Sequence, residues 1–264
     1  MARSNFNAVM EQIFRHEGGM SMIRSDPGNW TSGKVGVGEL RGTNFGIAAH
    51  AHPNVDIPNL TKAQAGEIYR RKYWNPIRGD DLPYGIDLVT MDPAVNSGVS
   101  RGVRWLQQAM GFTGKDLDGR MGPDTLGAAT KHEPVPIIQK ACEIRMGFLR
   151  GLRTFTTFGR GWSRRVAEVE AKAVSMATQY PRLTLVEEKN KAHSKASKET
   201  QAATGTTTAT GAGGAGAFAL DVPVWVIGIG VVVLIFVVVN LIGRARHDKE
   251  RAQAYEQAAI EVKP

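Results

Sequence analysis

Apolar residues recur at helical spacing at the start of the chain. Phe6, Val9, Met10 and Ile13 share one face, and Glu17 falls at the end of the same stripe. Gly18 and Gly19 then predict the stop of that helix. From Asp26 to Gly46 the pattern changes to Gly, Asn, Ser and Thr with short apolar alternation at Val35, Val37 and Leu40, which predicts turns and a small β-hairpin element. Thr61 with Gln64 three residues on reads as a capping box that opens a helix running through Ile68, Tyr69 and Lys72 towards Trp74. A further helix is expected from Asp92 as cap and Pro93 in the first turn, through Val103 and Leu106 to Met110, with a break near Gly98. Apolar-periodic stretches at 136–152 and 161–176 complete a helical second half, which Pro181 closes.

Beyond Pro181 the pattern changes twice. Residues 187–198 are charged and Gln201 to Ala217 are almost only Ala, Thr and Gly, a composition expected to stay a disordered, flexible linker. Val222 to Ile242 is an uncharged apolar run of about 20 residues, enough to cross a bilayer of about 30 Å as one helix. Arg244, Arg246, Lys249 and Arg251 follow it, whereas Ala202 to Asp221 contain no Lys or Arg, so the C-terminus is expected in the cytoplasm and the compact domain on the outer, periplasmic side. Against that orientation, the first residues show no continuous apolar stretch of a secretory signal. The expected organisation is a first lobe at 1–91, a helical half at 92–181, the linker at 182–221, the transmembrane helix at 222–243 and a basic tail at 244–264.

A chain of 264 residues accommodates one ordinary core plus such appendages. Its formal net charge of +8 favours polyanionic partners: nucleic acid, anionic lipid or the carboxylate-rich bacterial wall. Cys142 is the only cysteine, which excludes an intramolecular disulfide and reads as a small core residue. Gly28 to Lys34 matches G-x-x-x-x-G-K, but Val35 stands where a phosphate loop needs Ser or Thr, and no apolar strand precedes it. His50 and His52 suggest a metal, yet no second histidine follows His16 at helical spacing, so no metal or other cofactor is expected. Arg164 and Arg165 beside Trp162 come without any groove-reading motif, so no nucleic-acid partner is expected.

Several motifs stand in order: His16-Glu17-Gly18-Gly19, then Asp26-Pro27-Gly28-Asn29, then Thr43-Asn44-Phe45-Gly46-Ile47. Asp92-Pro93-Ala94-Val95-Asn96-Ser97-Gly98, Leu106-Gln107-Gln108, Asp118-Gly119 with Gly122 and Thr125, and Gly161-Trp162 with Arg165 follow. Together, over about residues 5 to 180, these resemble glycoside hydrolase family 108, phage and bacterial endolysins with the pattern E-G-G, D-P-G-G, T-x-x-G-I. The chain departs from that pattern in two places. Asn29 replaces the second Gly, and an insertion from about Trp30 to Gly42 precedes Thr43. Either Thr31 or Thr43 therefore fills the family's threonine position, and Thr43 is preferred because Gly46-Ile47 follows it directly.

The resemblance implies a mainly α, two-lobed, lysozyme-like domain whose second half binds peptidoglycan. It further implies a muramidase, hydrolysing the β-1,4 bond between N-acetylmuramic acid and N-acetylglucosamine and acting in phage or prophage lysis, and the apolar span then places it at the host bacterial inner membrane. The residues agree with it. Glycosidic cleavage needs an acid that is still protonated near neutral pH, and burial of Glu17 against Ile13 and Phe14 pushes a carboxyl that way. Asp26 is the natural second carboxylate, with an Asx turn before Pro27 as its alternative role, and Thr43 is a candidate to orient the attacking water. Gly18 and Gly19 allow a bulky sugar close to the backbone. Trp30, Tyr73 and Trp74 are candidates to face a pyranose, and the resemblance places Asn96 where its amide meets an N-acetyl group. Whether the reaction inverts or retains depends on a carboxylate separation that sequence does not contain. The rival enzyme is a lytic transglycosylase, for which Asp26 is dispensable, and the rival of another class is a non-catalytic wall-binding anchor or holin-like membrane protein.

Overall fold

The computed structural model describes residues 5–178, 181–212 and 224–262, with side chains of 206–234 left aside. It divides into two compact units, Met1–Arg145 and Met146–Pro264. The fold is mainly helical with a two-stranded sheet.

In the first unit, α1 (Phe6–His16) buries Phe6, Val9, Met10 and Ile13, the stripe anticipated from spacing. Glu17 lies just past the helix: its backbone is extended (φ −89°, ψ 138°) while its N–H still donates to the carbonyl of Ile13. The expected hairpin is present but displaced. Strands β1 (Thr43–Asn44) and β2 (Ile47–Ala48) pair antiparallel, Thr43 with Ala48 and Asn44 with Ile47. Val35 and Val37 are 54% and 52% exposed, so their alternation marks no strand. The chain there turns repeatedly on Gly33, Gly36 and Gly38, all at positive φ.

Helix α2 (Lys62–Tyr69) opens on the capping box of Thr61 and Gln64, with both reciprocal hydrogen bonds formed, and continues as a π-helical turn at Arg70–Trp74. Helix α3 (Ile86–Ser97) starts about two turns before the expected position, so Asp92 and Pro93 lie inside it instead of capping it. Asp92 is instead fully buried and paired with Arg145 Nη1 at 2.6 Å. Residues 86–94 of α3 are buried all round, which erases the periodicity that would have announced the start. Gly98, at φ 93°, separates α3 from α4 (Val99–Ala109) as anticipated. Helices α5 (Pro123–Lys131) and α6 (Pro134–Arg150) follow, and the division between the units falls within α6.

The second unit holds α7 (Phe155–Ala177), α8 (Pro181–Ala212) and α9 (Val224–Glu261), packed on one another. The linker expected to be disordered at 182–221 is thus corrected over its described part: residues 181–212 are helical, and 213–221 lie outside the described residues. Leu185, Ala192, Ala196 and Ala203 of α8 are buried, as are Ala245, Ala252, Tyr255 and Ala259 of α9. Alanine favours helix, and a partner helix supplies the burial that α8 alone lacks. Residues 244–261, the expected basic tail, are likewise helical and packed. Among the described residues no helix is long and apolar enough to cross a membrane. Most of the expected span at 222–243 lies outside the residues whose side chains are described.

Two buried acids in α3 yield tests. Removing one partner of the Asp92–Arg145 pair, as in Arg145→Met, leaves a buried charge uncompensated, and denaturant unfolding is expected to show a loss of about 3–5 kcal/mol. Asp87 accepts hydrogen bonds from Asn5 and from the amides of Gly85 and Leu88, yet burial dominates and raises its carboxyl to about 6. The folded state therefore holds this proton more tightly than the unfolded one. The associated stability is fully present below about pH 3.8 and is lost as pH rises through about 6. Relative to wild type, Asp87→Asn is expected to gain on the order of 3 kcal/mol between those pH values in paired denaturation curves. A pH-independent difference would refute this.

Candidate active site

The hairpin turn is built on Phe45 and Gly46, with φ of 49° and 74°. Positive φ at both central residues is the turn that matches strand twist, but a bulky residue rarely accepts it. Phe45 is held there from both sides. Its ring meets Phe14 edge-on at 5.6 Å, and its carbonyl accepts a hydrogen bond of 3.0 Å from the hydroxyl of Tyr69. Phe14 in turn meets the Tyr69 ring edge-on at 5.7 Å, and Tyr69 packs on Tyr73 at 5.6 Å. The wider π turn carries Tyr73 round beneath Tyr69.

Glu17 belongs to this cluster. A Cβ on Gly46 would meet Glu17 Oε2 at 2.8 Å and would run into the Tyr69 hydroxyl as well. The carboxyl, the phenol and the bare turn therefore crowd one point. Tyr73 is close enough that the charge of Glu17, added to the larger effect of burial, raises its phenol above the usual value. At neutral pH that hydroxyl stays protonated and can donate. Glu17 is half-buried, whereas Gly18 and Gly19 are exposed, and a Cβ on either would meet nothing within 4 Å. The backbone beyond the carboxyl thus faces open space.

Asp26 and Thr43 sit on a loop organised by Asn29. The Asn29 side chain is fully buried and its amide donates to the backbone carbonyl of Ile23, while the Asn29 backbone carbonyl accepts from the amides of Arg41 and Gly42. Thr43 donates its hydroxyl to Asn29 Oδ1 at 2.7 Å, and a bridge to Ser21 ties β1 to the segment after Glu17. Asp26 is exposed and accepts from the Gly28 amide through Oδ1 at 2.8 Å, an Asx turn of the kind sequence allowed for. Thr31 is engaged across the insertion, its hydroxyl accepting from the Glu39 amide at 3.0 Å.

The aromatic candidates separate. Trp30 is half-buried with its indole N–H on the carbonyl of Arg24, and Tyr73 is half-buried beside Glu17. Trp74 is fully buried, donates to Asp80 at 2.9 Å and packs on Phe6 and Gly79, so it is a core residue that no sugar reaches. Asn96 is exposed near the end of α3 and accepts from Arg145 at 3.1 Å. His50 approaches the Gly28 carbonyl at 3.3 Å, and His52, lowered by burial and by Lys72, meets the Lys72 ammonium at 3.0 Å. Among the described residues no group of three His, Cys, Asp or Glu side chains is placed to hold a metal. Sequence reasoning passed over Tyr69 and Phe45. The only signal for them was an aromatic and a glycine in a two-residue turn.

Three comparisons bear on this site. Residues 10–98 match the family model described as Glycosyl hydrolase 108. No curated protein matches the chain. Among solved structures, Brucella abortus SagA is similar at 36% identity, covering 67% of this chain and 98% of that one, with a TM-score of 0.55.

Gly46→Ala tests the crowding directly. The added methyl displaces the Glu17 carboxyl, and a misplacement of about 1 Å is expected to cost on the order of a hundredfold in turnover. Turbidity clearing of purified peptidoglycan would measure it. Clearing at the wild-type rate would show that the carboxyl position does not matter.

Proposed function

Because the chain belongs to glycosyl hydrolase family 108 and is a glycoside hydrolase, we propose that its substrate is peptidoglycan and that it acts as a muramidase, cleaving the β-1,4 bond between N-acetylmuramic acid and N-acetylglucosamine. The observation that carries this reading is the half-buried Glu17 carboxyl lodged against a turn with no side chain, beside two tyrosines and in front of open backbone. Glu17 is the general acid that protonates the leaving oxygen. Tyr69 is a positioning residue: almost fully buried, it fixes the turn through Phe45 and confines the carboxyl.

Asp26 supplies the second carboxylate. The Gly28 amide occupies Oδ1, and the other oxygen is left to take a proton from water or to face the positive charge that develops on the sugar. The Thr43 hydroxyl already donates to Asn29, so it can only accept from that water. Tyr73 and Trp30 line the sugar path, and Gly18 and Gly19 leave the path clear. The membrane tether is proposed from the uncharged run Val222–Ile242 alone, and a lysis role in a phage or prophage from the family resemblance.

One observation favours a second reading. The Asx turn at Asp26 already gives that side chain a structural task, which is what a lytic transglycosylase would require of it. The two enzymes are separable. Glu17→Gln is expected to lower clearing by a thousandfold or more in either case, on the order of the loss of a general acid. Asp26→Asn preserves an acceptor for the Gly28 amide and removes only the charge. A muramidase loses at least about a hundredfold with this variant and releases reducing ends. Unchanged rates together with anhydro-muramyl ends in mass spectra would establish the transglycosylase instead.

A further inference from the structure

Helices α8 and α9 run antiparallel. Lys189 pairs with Glu256 and Lys195 with Asp248, each at 3.5 Å, so positions rising along α8 meet positions falling along α9. The buried alanines of α9 recur every seven residues, at 245, 252 and 259, and Ala196 and Ala203 repeat that interval on α8. The last part of α9 also holds α7. Glu170 Oε1, on a side chain 2% exposed, accepts from Arg251 Nη2 at 2.6 Å and from the Tyr255 hydroxyl at 2.6 Å, while Arg251 also reaches Asp248 at 3.1 Å.

These contacts bear on membrane sidedness. A single crossing at 222–243 would carry residues 244–261 to the far side from α7 and α8, stripping Arg251 and Tyr255 from Glu170 and leaving a buried carboxylate unpaired. No apolar run of crossing length interrupts residues 5–178, so α7 and the first unit share one side. The charges along α8 and α9 point the same way. Between Gln201 and Gly243 only Asp221 is charged, giving two uncharged stretches, one of Ala, Thr and Gly and one rich in Val and Ile. Lys189, Lys191, Lys195 and Lys198 precede the first, and Arg244, Arg246, Lys249 and Arg251 follow the second. Clusters of Lys and Arg stay on the cytoplasmic face, and here both ends of the uncharged stretch carry one. At the start of the first stretch Thr204 returns its hydroxyl to the carbonyl of Thr200, which satisfies it within its own helix. Ile235, Phe236 and Val239 of α9 are 57%, 68% and 61% exposed, an apolar face open to lipid.

We infer that α8 and α9 enter the bilayer as a helical hairpin with both ends on one face, so that the glycoside hydrolase unit and the basic tail lie together on the cytoplasmic side. This rests on the membrane-tether reading and replaces the single crossing expected from the span's flanks alone. The enzyme is then kept from the wall by the membrane until that membrane fails.

The test uses the full chain in bacterial membrane vesicles of both orientations, in a Cys142→Ala background, with single reporters Lys115→Cys and Glu261→Cys and a membrane-impermeant maleimide. Both reporters are expected to label in inside-out vesicles and to be protected in right-side-out ones. In the same membranes, a bismaleimide is expected to bridge Lys189→Cys to Glu256→Cys. Labelling of the two reporters from opposite faces, or of both from the outer face, would overturn the hairpin and leave the tether standing. Recovery of the chain wholly outside the membrane fraction would overturn the tether and the hairpin with it.

Discussion

The candidate site of this protein depends on an absence: Gly46 has no side chain, and the Glu17 carboxyl and the Tyr69 hydroxyl occupy the space a methyl would need. A carboxyl at the fraying end of a helix is ordinarily free to swing into water. Here the chain leaves the helical conformation at Glu17, and the turn at 45–46 limits where its side chain can go. The left-handed backbone of Phe45 is part of the same constraint. It is tolerated because the Phe14 ring and the Tyr69 hydroxyl over-determine it, and strain of this kind persists only where surroundings impose it.

That arrangement was partly legible in the chain. The stripe ending at Glu17 and the capping box at Thr61 are local patterns, and local patterns survive folding. The contacts that give Glu17 its setting are not local. Tyr69 lies on another helix far along the chain, and nothing at position 69 distinguishes a core tyrosine from one that confines a carboxyl. Trp74 shows the reverse error: an aromatic near the expected cleft turned out to be anchored to Asp80 inside the core. Asn29, which departs from the family pattern, proved to be the hub of its loop, because a buried amide can donate and accept where glycine offers only backbone.

The helices escaped sequence reading for two opposite reasons. Helix α3 is buried on all sides over most of its length and so shows no polar face from which to judge phase. Helix α8 is nearly devoid of large apolar residues, and composition alone argues for disorder. It folds because α9 offers a complementary row of alanines, a fact about two segments that neither contains alone.

The helical state of α8 also sets a dimension. Its charged half, residues 181–200, is about 30 Å long at 1.5 Å per residue. A coil of the same composition would act as a leash, letting whatever it holds sample a sphere with a fluctuating radius. A rod of that length is a ruler instead, and the separation between its two ends is a constant of the molecule.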